Sequence, residues 1–242
     1  MNAIEIKNLS YKQIFKNLSL DIPKNGHVTL MGKNGVGKST LARLISEGSK
    51  NIKVIDQVIL ITSNPDRQII GRTVREQLMF YMDDNLTLKQ KKMRVNKVIK
   101  DFSLDDIIDI DPFSLPNEKK QIIIILSYLI SDINILIFDN AMCFIGTYQK
   151  KHLFEYLKKK KRTIINITND SEDMLYGNYV AILMNNKIVC KKLNEIFNDE
   201  MSFIDNNLKL PFIVELSLKL KYYDILDNIS LDRIEMVDKI WN

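Results

Sequence analysis

The stretch G-K-N-G-V-G-K-S-T, residues 32–40, decides how the rest of the chain is read. It sets Gly32 and Gly37 around four residues and follows them with Lys38, Ser39 and Thr40. An apolar run, H-V-T-L-M, leads straight into it, and S-T-L-A-R-L-I-S, amphipathic at helical spacing, leaves it. Strand, glycine loop and helix in that order build a phosphate cradle. Glycine tolerates the dihedrals that turn successive backbone N–H groups inward, here those of Lys33, Asn34, Gly35, Val36 and Gly37. The positive end of the following helix adds to them. Lys38 has the length and charge to reach β- and γ-phosphates, Ser39 the small hydroxyl that suits Mg²⁺, and Thr40 a donor for an α-phosphate. The alternative, a glycine-rich turn that only joins strand to helix, is disfavoured by that context.

Composition frames the motif. The 242 residues are 45% apolar and 27% charged, enough to bury a sizeable core and too apolar for a disordered chain. Lys and Arg number 35 against 30 Asp and Glu, a net +5 that suits an anionic surface, nucleotides or nucleic acid without choosing among them. The longest apolar stretch, Ile122 to Phe138, is broken by Ser127, Ser131, Asp132 and Asn134. It falls short of the roughly 20 apolar residues that a membrane-spanning helix needs. The start, M-N-A-I-E-I-K, lacks the regions of a signal peptide, and Cys143 and Cys190 have no metal-ligand spacing, so a reducing cytoplasm is the expected compartment.

Short runs rich in Ile, Leu or Val predict strands at Ala3–Lys7, Ser19–Ile22, His27–Met31, Val58–Thr62, Ile135–Asp139, Thr163–Thr168 and Val180–Met184. Those at Ile135 and Thr163 are apolar on both parities and flank a helical stretch, Tyr148 to Lys161, as buried parallel strands joined by a crossover helix are. From Thr73 to Ser131 the pattern turns helical, opening on T-V-R-E, a capping box of Thr73 and Glu76. Asn185 and Asn186 between two apolar runs predict a tight hairpin. After Asn206, F-I-V-E-L-S-L-K-L-K fits a helix better than a strand. Asp139 closes the run I-N-I-L-I-F-D at the sheet edge where a nucleotide's Mg²⁺ sits in an open α/β sheet. Alone it reads equally well as a carboxylate capping the next turn; beside the cradle, the metal reading prevails.

Together these stretches resemble the ABC-type ATPases, and more narrowly the ATPase subunits of energy-coupling factor importers for vitamins or transition-metal ions. L-S-Y puts Tyr11 where that family stacks an aromatic on adenine, although a half-buried strand-end tyrosine is the plain alternative. N-P-D-R-Q, Asn64 to Gln68, followed by T-V-R-E, resembles the Q-loop and the helix that receives the membrane subunit. N-N-K-I-V, N-E-I-F and L-P-F-I-V-E-L are similar to the C-terminal region through which these ATPases pair. The resemblance implies an α/β P-loop NTPase core over 1–205, with a helical subdomain at about 72–131 and a pairing segment over 206–242. It also implies ATP and Mg²⁺ as cofactors, with Ser39 and Asp139 on the metal. The implied partners are a second ATPase subunit in a heterodimer, a transmembrane coupling subunit and, indirectly, a membrane substrate-capture subunit. Nucleic acid is not among them. The expected location is peripheral, at the cytoplasmic face of the cell membrane.

The departures from that family fall on chemistry. Asn140 stands where the resemblance implies the catalytic glutamate, and its amide cannot take a proton from water. Asn169 replaces the histidine that meets the γ-phosphate, Ser63 the Q-loop glutamine, and Gly146 the D-loop aspartate. The signature L-S-G-G-Q becomes L-P-N-E-K, Leu115 to Lys119, so that Pro116 replaces the serine and Glu118 a glycine at which phosphate approaches. No catalytic residue is intact, and Glu118 is expected to repel a partner's nucleotide. Lys119 and Lys120 are expected on a solvated helix start, and Lys158 to Arg162 in water at a helix's negative end. Three other readings stay open: a nucleotide-gated regulator, an exporter ATPase and a P-loop kinase, the last disfavoured by N-P-D-R-Q and the tail.

Overall fold

A computed structural model describes residues 1–198 and 200–241; positions 199 and 242, inside the two expected segments, lie outside the described residues. The chain opens with β1 (Asn2–Tyr11), β2 (Phe15–Pro23) and β3 (His27–Met31), then α1 (Lys38–Glu47), β4 (Ile52–Val54) and β5 (Val58–Thr62). Three helices follow, α2 (Val74–Phe80), α3 (Leu88–Phe102) and α4 (Asn117–Leu129). The chain then returns to the sheet as β6 (Ile135–Asp139), α5 (Thr147–Lys159), β7 (Thr163–Ile167), β8 (Tyr179–Met184) and β9 (Lys187–Lys192). Four helices end it: α6 (Leu193–Ile196), α7 (Glu200–Asp205), α8 (Phe212–Tyr222) and α9 (Arg233–Trp241).

Two sheets result. One is antiparallel, β2-β1-β4; the other runs β5-β6-β7-β3-β8-β9, parallel except for β9. Parallel neighbours that are not consecutive in sequence require crossovers, which explains why β3, β6 and β7 are apolar on both faces. The helix α1 packs between the sheets on Leu41 and Ile45, against Ile6 and Leu20 on one side and Ile137 and Ile165 on the other. His27, at the start of β3, is buried, and that burial pushes its pKa down to about 4, so it is neutral at pH 7.

A second core joins α2, α3 and α4 to β6 and α5, through Leu78, Val98, Phe138 and Leu157. Ile123, Ile124 and Ile125 of α4 are each 0% exposed. Each contributes about 1.5–3 kcal/mol relative to exposure, which is why the helix is apolar all round from Ile122 to Leu126. A third core lies under the tail, where Ile213, Val214, Leu226 and Met236 meet Met31, Val180 and Ile182.

The expected strands all form, and β4 joins them, missed because it has only three residues. The hairpin forms with Met184 opposite Lys187, and of the two asparagines only Asn186 takes positive φ, at 61°. The residues after Pro211 are helical as expected. The capping box at Thr73 is half made: the Thr73 hydroxyl accepts from Glu76 N–H, but the Glu76 carboxylate reaches past Thr73 to Arg72 N–H, 2.9 Å away. The complete box is Thr87 with Gln90, at the start of α3.

Candidate functional site

Two of the cradle's glycines, Gly32 and Gly37, are required by space as well as by dihedral. Gly32, Gly35 and Gly37 have φ of 150°, 80° and 109°, conformations that side chains rarely adopt. A Cβ on Gly32 would lie 2.4 Å from the Leu183 carbonyl oxygen, and one on Gly37 2.6 Å from Ile14 and 2.9 Å from Phe15. Gly37 therefore lets the β1–β2 turn approach the loop, and Tyr11, paired with Phe15 and half-buried, sits on that turn. The first turn of α1 carries no side-chain cap and no carboxylate, so its N–H groups remain free for an anion.

Lys38 is 8% exposed, and its ammonium donates to the carbonyls of Gly32 at 2.6 Å and Lys33 at 3.2 Å. Burial holds its pKa below the ordinary value, while Asp139 pulls it back up. The Lys33 side chain turns away from the loop and donates to the Asp205 carbonyl at 3.3 Å, tying the cradle to α7. Ser39 Oγ donates to Asp139 Oδ1 at 3.0 Å, across 100 residues of sequence. A hydroxyl and a carboxylate that close are the hard oxygen donors Mg²⁺ takes, with phosphate and water oxygens completing the shell. The residues present thus fit a magnesium nucleotide, in which the ion would neutralise phosphate charge.

The strand register gathers the three degenerate positions. Asp139 lies opposite Thr62 of β5 and Ile167 of β7, so Ser63, Asn140 and Asn169 follow the same sheet edge within two residues of that row. Asn140 has φ 51° and donates to Asp139 Oδ1 at 3.4 Å. Gln68 does not stand in for Ser63: its amide accepts from Thr62 N–H and donates to the Leu60 carbonyl, each at 3.1 Å. Asn169 is exposed.

The signature region is tied into its own chain. Pro116 caps α4, and Glu118 is directed at its own chain, accepting from Gly146 N–H at 2.9 Å. Two of the replaced positions are thus each other's partners. Lys119 is exposed as expected, but Lys120 is buried and pairs with Asp66 at 2.9 Å. A lysine so placed needs a carboxylate, and Asp66 of N-P-D-R-Q supplies it. The basic run at the end of α5 also divides: Lys158, Lys159 and Lys161 face water, whereas Lys160 and Arg162 are half-buried.

Sequence reading missed a buried cluster. Lys150 pairs with Asp170 at 3.0 Å and Asp173 at 2.9 Å, and Asn166 donates to Asp173. Burial works against the Lys150 ammonium, but Asp173 and Asp170 outweigh it and hold its pKa above the ordinary value. The cluster braces α5 against the loop that carries Asn169. Its signal was available, because Lys150 shares a helical stripe with Leu153, Phe154 and Leu157.

Comparison with known proteins accords with this geometry. The profile described as ABC transporter matches residues 15–143, more than half of the chain. The chain belongs to the ABC transporter family. A relative in Pediococcus pentosaceus, the energy-coupling factor transporter ATP-binding protein EcfA, is 31% identical over 246 residues, covering 89% of this chain and 88% of the relative. The energy-coupling factor transporter ATP-binding protein EcfA1 of Mycoplasmoides gallisepticum is 28% identical over 99% of this chain and 95% of its own length. Among solved structures, cbiO1 from Clostridium perfringens, described as part of the ABC transporter complex cbiONQ, has a similar fold. It gives a TM-score of 0.72 at 21% identity over 89% of this chain and 98% of that one. Among the described residues of this ABC family member, no helix is long and apolar enough to cross a membrane.

Proposed function

We propose that this chain is the ATP-binding subunit of an energy-coupling factor importer for vitamins or transition-metal ions, working at the cytoplasmic face of the membrane. It holds Mg-ATP firmly and hydrolyses it poorly. The observation that carries this reading is the contrast at one strand end: Asp139 sits 3.0 Å from the Ser39 hydroxyl, while the next residue, Asn140, has no basic atom. Backbone donors of the loop and of α1 would hold the phosphates, with Lys38 adding its charge to them and Tyr11 lying beside the base. No side chain at Ser63, Asn140 or Asn169 can accept the proton of an attacking water efficiently, so the nucleotide remains.

Transport then requires a second, catalytically complete ATPase subunit, paired with this one through residues 206–242. Both dock on a transmembrane coupling subunit, and substrate-capture proteins in the membrane choose the cargo. The two energy-coupling factor relatives support this assignment. Calorimetry of the full chain with Mg-ATP should show uptake, with phosphate release at background. Absence of uptake overturns the reading, as does brisk hydrolysis that disappears in Asn140→Ala. Isolation of the complex from membranes should bring down a multi-span protein and a second ATPase; recovery of the chain alone would favour a nucleotide-gated regulator.

A further inference from the structure

The N-terminal ends of the core strands carry a second concentration of positive charge. Arg94 and Lys97 on α3, Tyr156 and Lys160 at the end of α5, Arg162 just before β7, and Asp132 after α4 line a cavity of about 270 Å³. The phosphate cradle lies at the other end of the same sheet. Five-residue strands rising about 3.3 Å per residue separate the two ends of the sheet by roughly 15 Å.

Capping explains the arginines only in part. Arg94 donates to the Ile130 carbonyl at 3.0 Å and pairs with Asp132 at 3.1 Å; Arg162 donates to the Ser131 carbonyl at 3.0 Å and to Asn134. These contacts satisfy the carbonyls of the two residues that follow α4 and use up the one carboxylate in the wall. They leave the lysines unexplained. Among the described residues, neither Lys97 nor Lys160 forms an ion pair, and the Lys160 ammonium rests over the Tyr156 ring, 5.2 Å from its centre. Burial, and then Lys97, Arg162 and Arg94, hold the Lys160 pKa below its ordinary value, with Asp101 alone pulling the other way. Two further wall atoms, Arg162 Nε and the Tyr156 hydroxyl, are buried without a hydrogen-bond partner.

Four cations crowd around an open volume whose lining holds one carboxylate, Asp132; Asp101 and Asp56, outside that lining, offset part of the charge on Lys160 and Arg162, and a multiply charged anion would stabilise the remainder. We propose that this cavity binds a small phosphate-bearing anion, held by Arg94, Lys97, Lys160 and Arg162. Phosphate suits the site better than carboxylate because it carries more negative charge and its oxygens accept from guanidinium forks and ammonium groups together. The volume exceeds that of one phosphate group, and the Tyr156 ring offers a flat wall for whatever the phosphate is attached to.

The test must separate this site from the cradle. In full-length chain carrying Lys38→Ala, titration calorimetry with pyrophosphate should show one saturable site. Its affinity should fall at least tenfold in the Lys97→Gln/Lys160→Gln double variant, and Lys160→Arg should retain it. Both lysines are at least partly exposed, so the fold should survive; circular dichroism checks that it does. Co-sedimentation with phosphatidylcholine vesicles containing phosphatidic acid distinguishes the source. Lysine-dependent vesicle binding assigns a lipid headgroup, and pyrophosphate binding without vesicle binding assigns a soluble phosphate. Absence of saturable binding, or equal affinity in the double variant, overturns the proposal.

Discussion

The N-termini of α1 and α4 are the two helix ends that the family devotes to phosphate, and this fold treats them in opposite ways. At α1 the three glycines hold positive φ, no side chain caps the first turn, and no carboxylate competes for its N–H groups. At α4 the first turn likewise has no side-chain cap, but it follows Pro116 and carries Glu118, which accepts from Gly146 N–H, while Lys120 is paired with Asp66. One end stays available to a ligand; the other has become an internal brace. The contrast shows that the replaced signature residues are coupled within their own chain, so a substitution there acts first on the packing of α4 against the Q-loop and D-loop.

The largest effect should come from restoring chemistry on the cradle side. In the assembled transporter, Asn140→Glu with Asn169→His is expected to raise phosphate release at this chain's own site about a hundredfold, the low end of what a positioned general base supplies. A stability cost accompanies it, because residue 140 has φ 51°, which asparagine tolerates and glutamate pays for by about 1–2 kcal/mol. An unchanged rate would mean that these two positions are not what the site lacks.

Next in size is nucleotide affinity in the isolated chain. Lys38→Ala should weaken Mg-ATP binding about ten- to a hundredfold, the worth of charge-assisted hydrogen bonds to phosphate. Glu118→Ala should leave it unchanged. Calorimetry on both variants checks the pair, and equal losses would erase the distinction between the two helix ends.

What was legible in the sequence follows from how local the causes are. The cradle could be read because its spacing, glycines and flanking elements are contiguous, and β3, β6 and β7 because burial on both faces leaves an unbroken apolar run. Three-residue β4 gives too short a signal. The burial of Lys120 was not legible because its partner, Asp66, lies 54 residues away, and neither was Glu118 on Gly146, 28 residues apart. Lys150 was legible in principle from its helical stripe. The division of the basic run at the end of α5 was hidden because Arg162 takes its partners from the loop after α4.

The buried pair offers a smaller test of the brace. Lys120 is 8% exposed, whereas the Asp66 side chain is half exposed. Removing the carboxylate strands a buried ammonium, so Asp66→Ala should lower stability by about 2 kcal/mol; Lys120→Met, which removes the charge and keeps the volume, should cost less than about 1. Urea midpoints measure both. The reverse order would mean that Lys120 escapes to water and that α4 is not tied to the Q-loop.

The smallest effect is the most specific. A Cβ on Gly146 would lie 3.3 Å from Glu118 Oε1, so Gly146→Asp, which restores the family's D-loop residue, sets two carboxylates against each other. Like charges at about 4 Å cost between about 1 kcal/mol in water and about 4 at an effective dielectric near 20, and the partial exposure of this pair argues for the lower figure. Glu118→Gly alone loses the bond to Gly146 N–H and some helix propensity. With both replaced, the repulsion is gone, and the double variant should be more stable than the two single losses add up to, by about 1 kcal/mol. Urea denaturation of the four proteins in the cycle measures this coupling. Additive losses would show that signature and D-loop changed independently, and the brace at α4 would then reduce to Lys120 and Asp66.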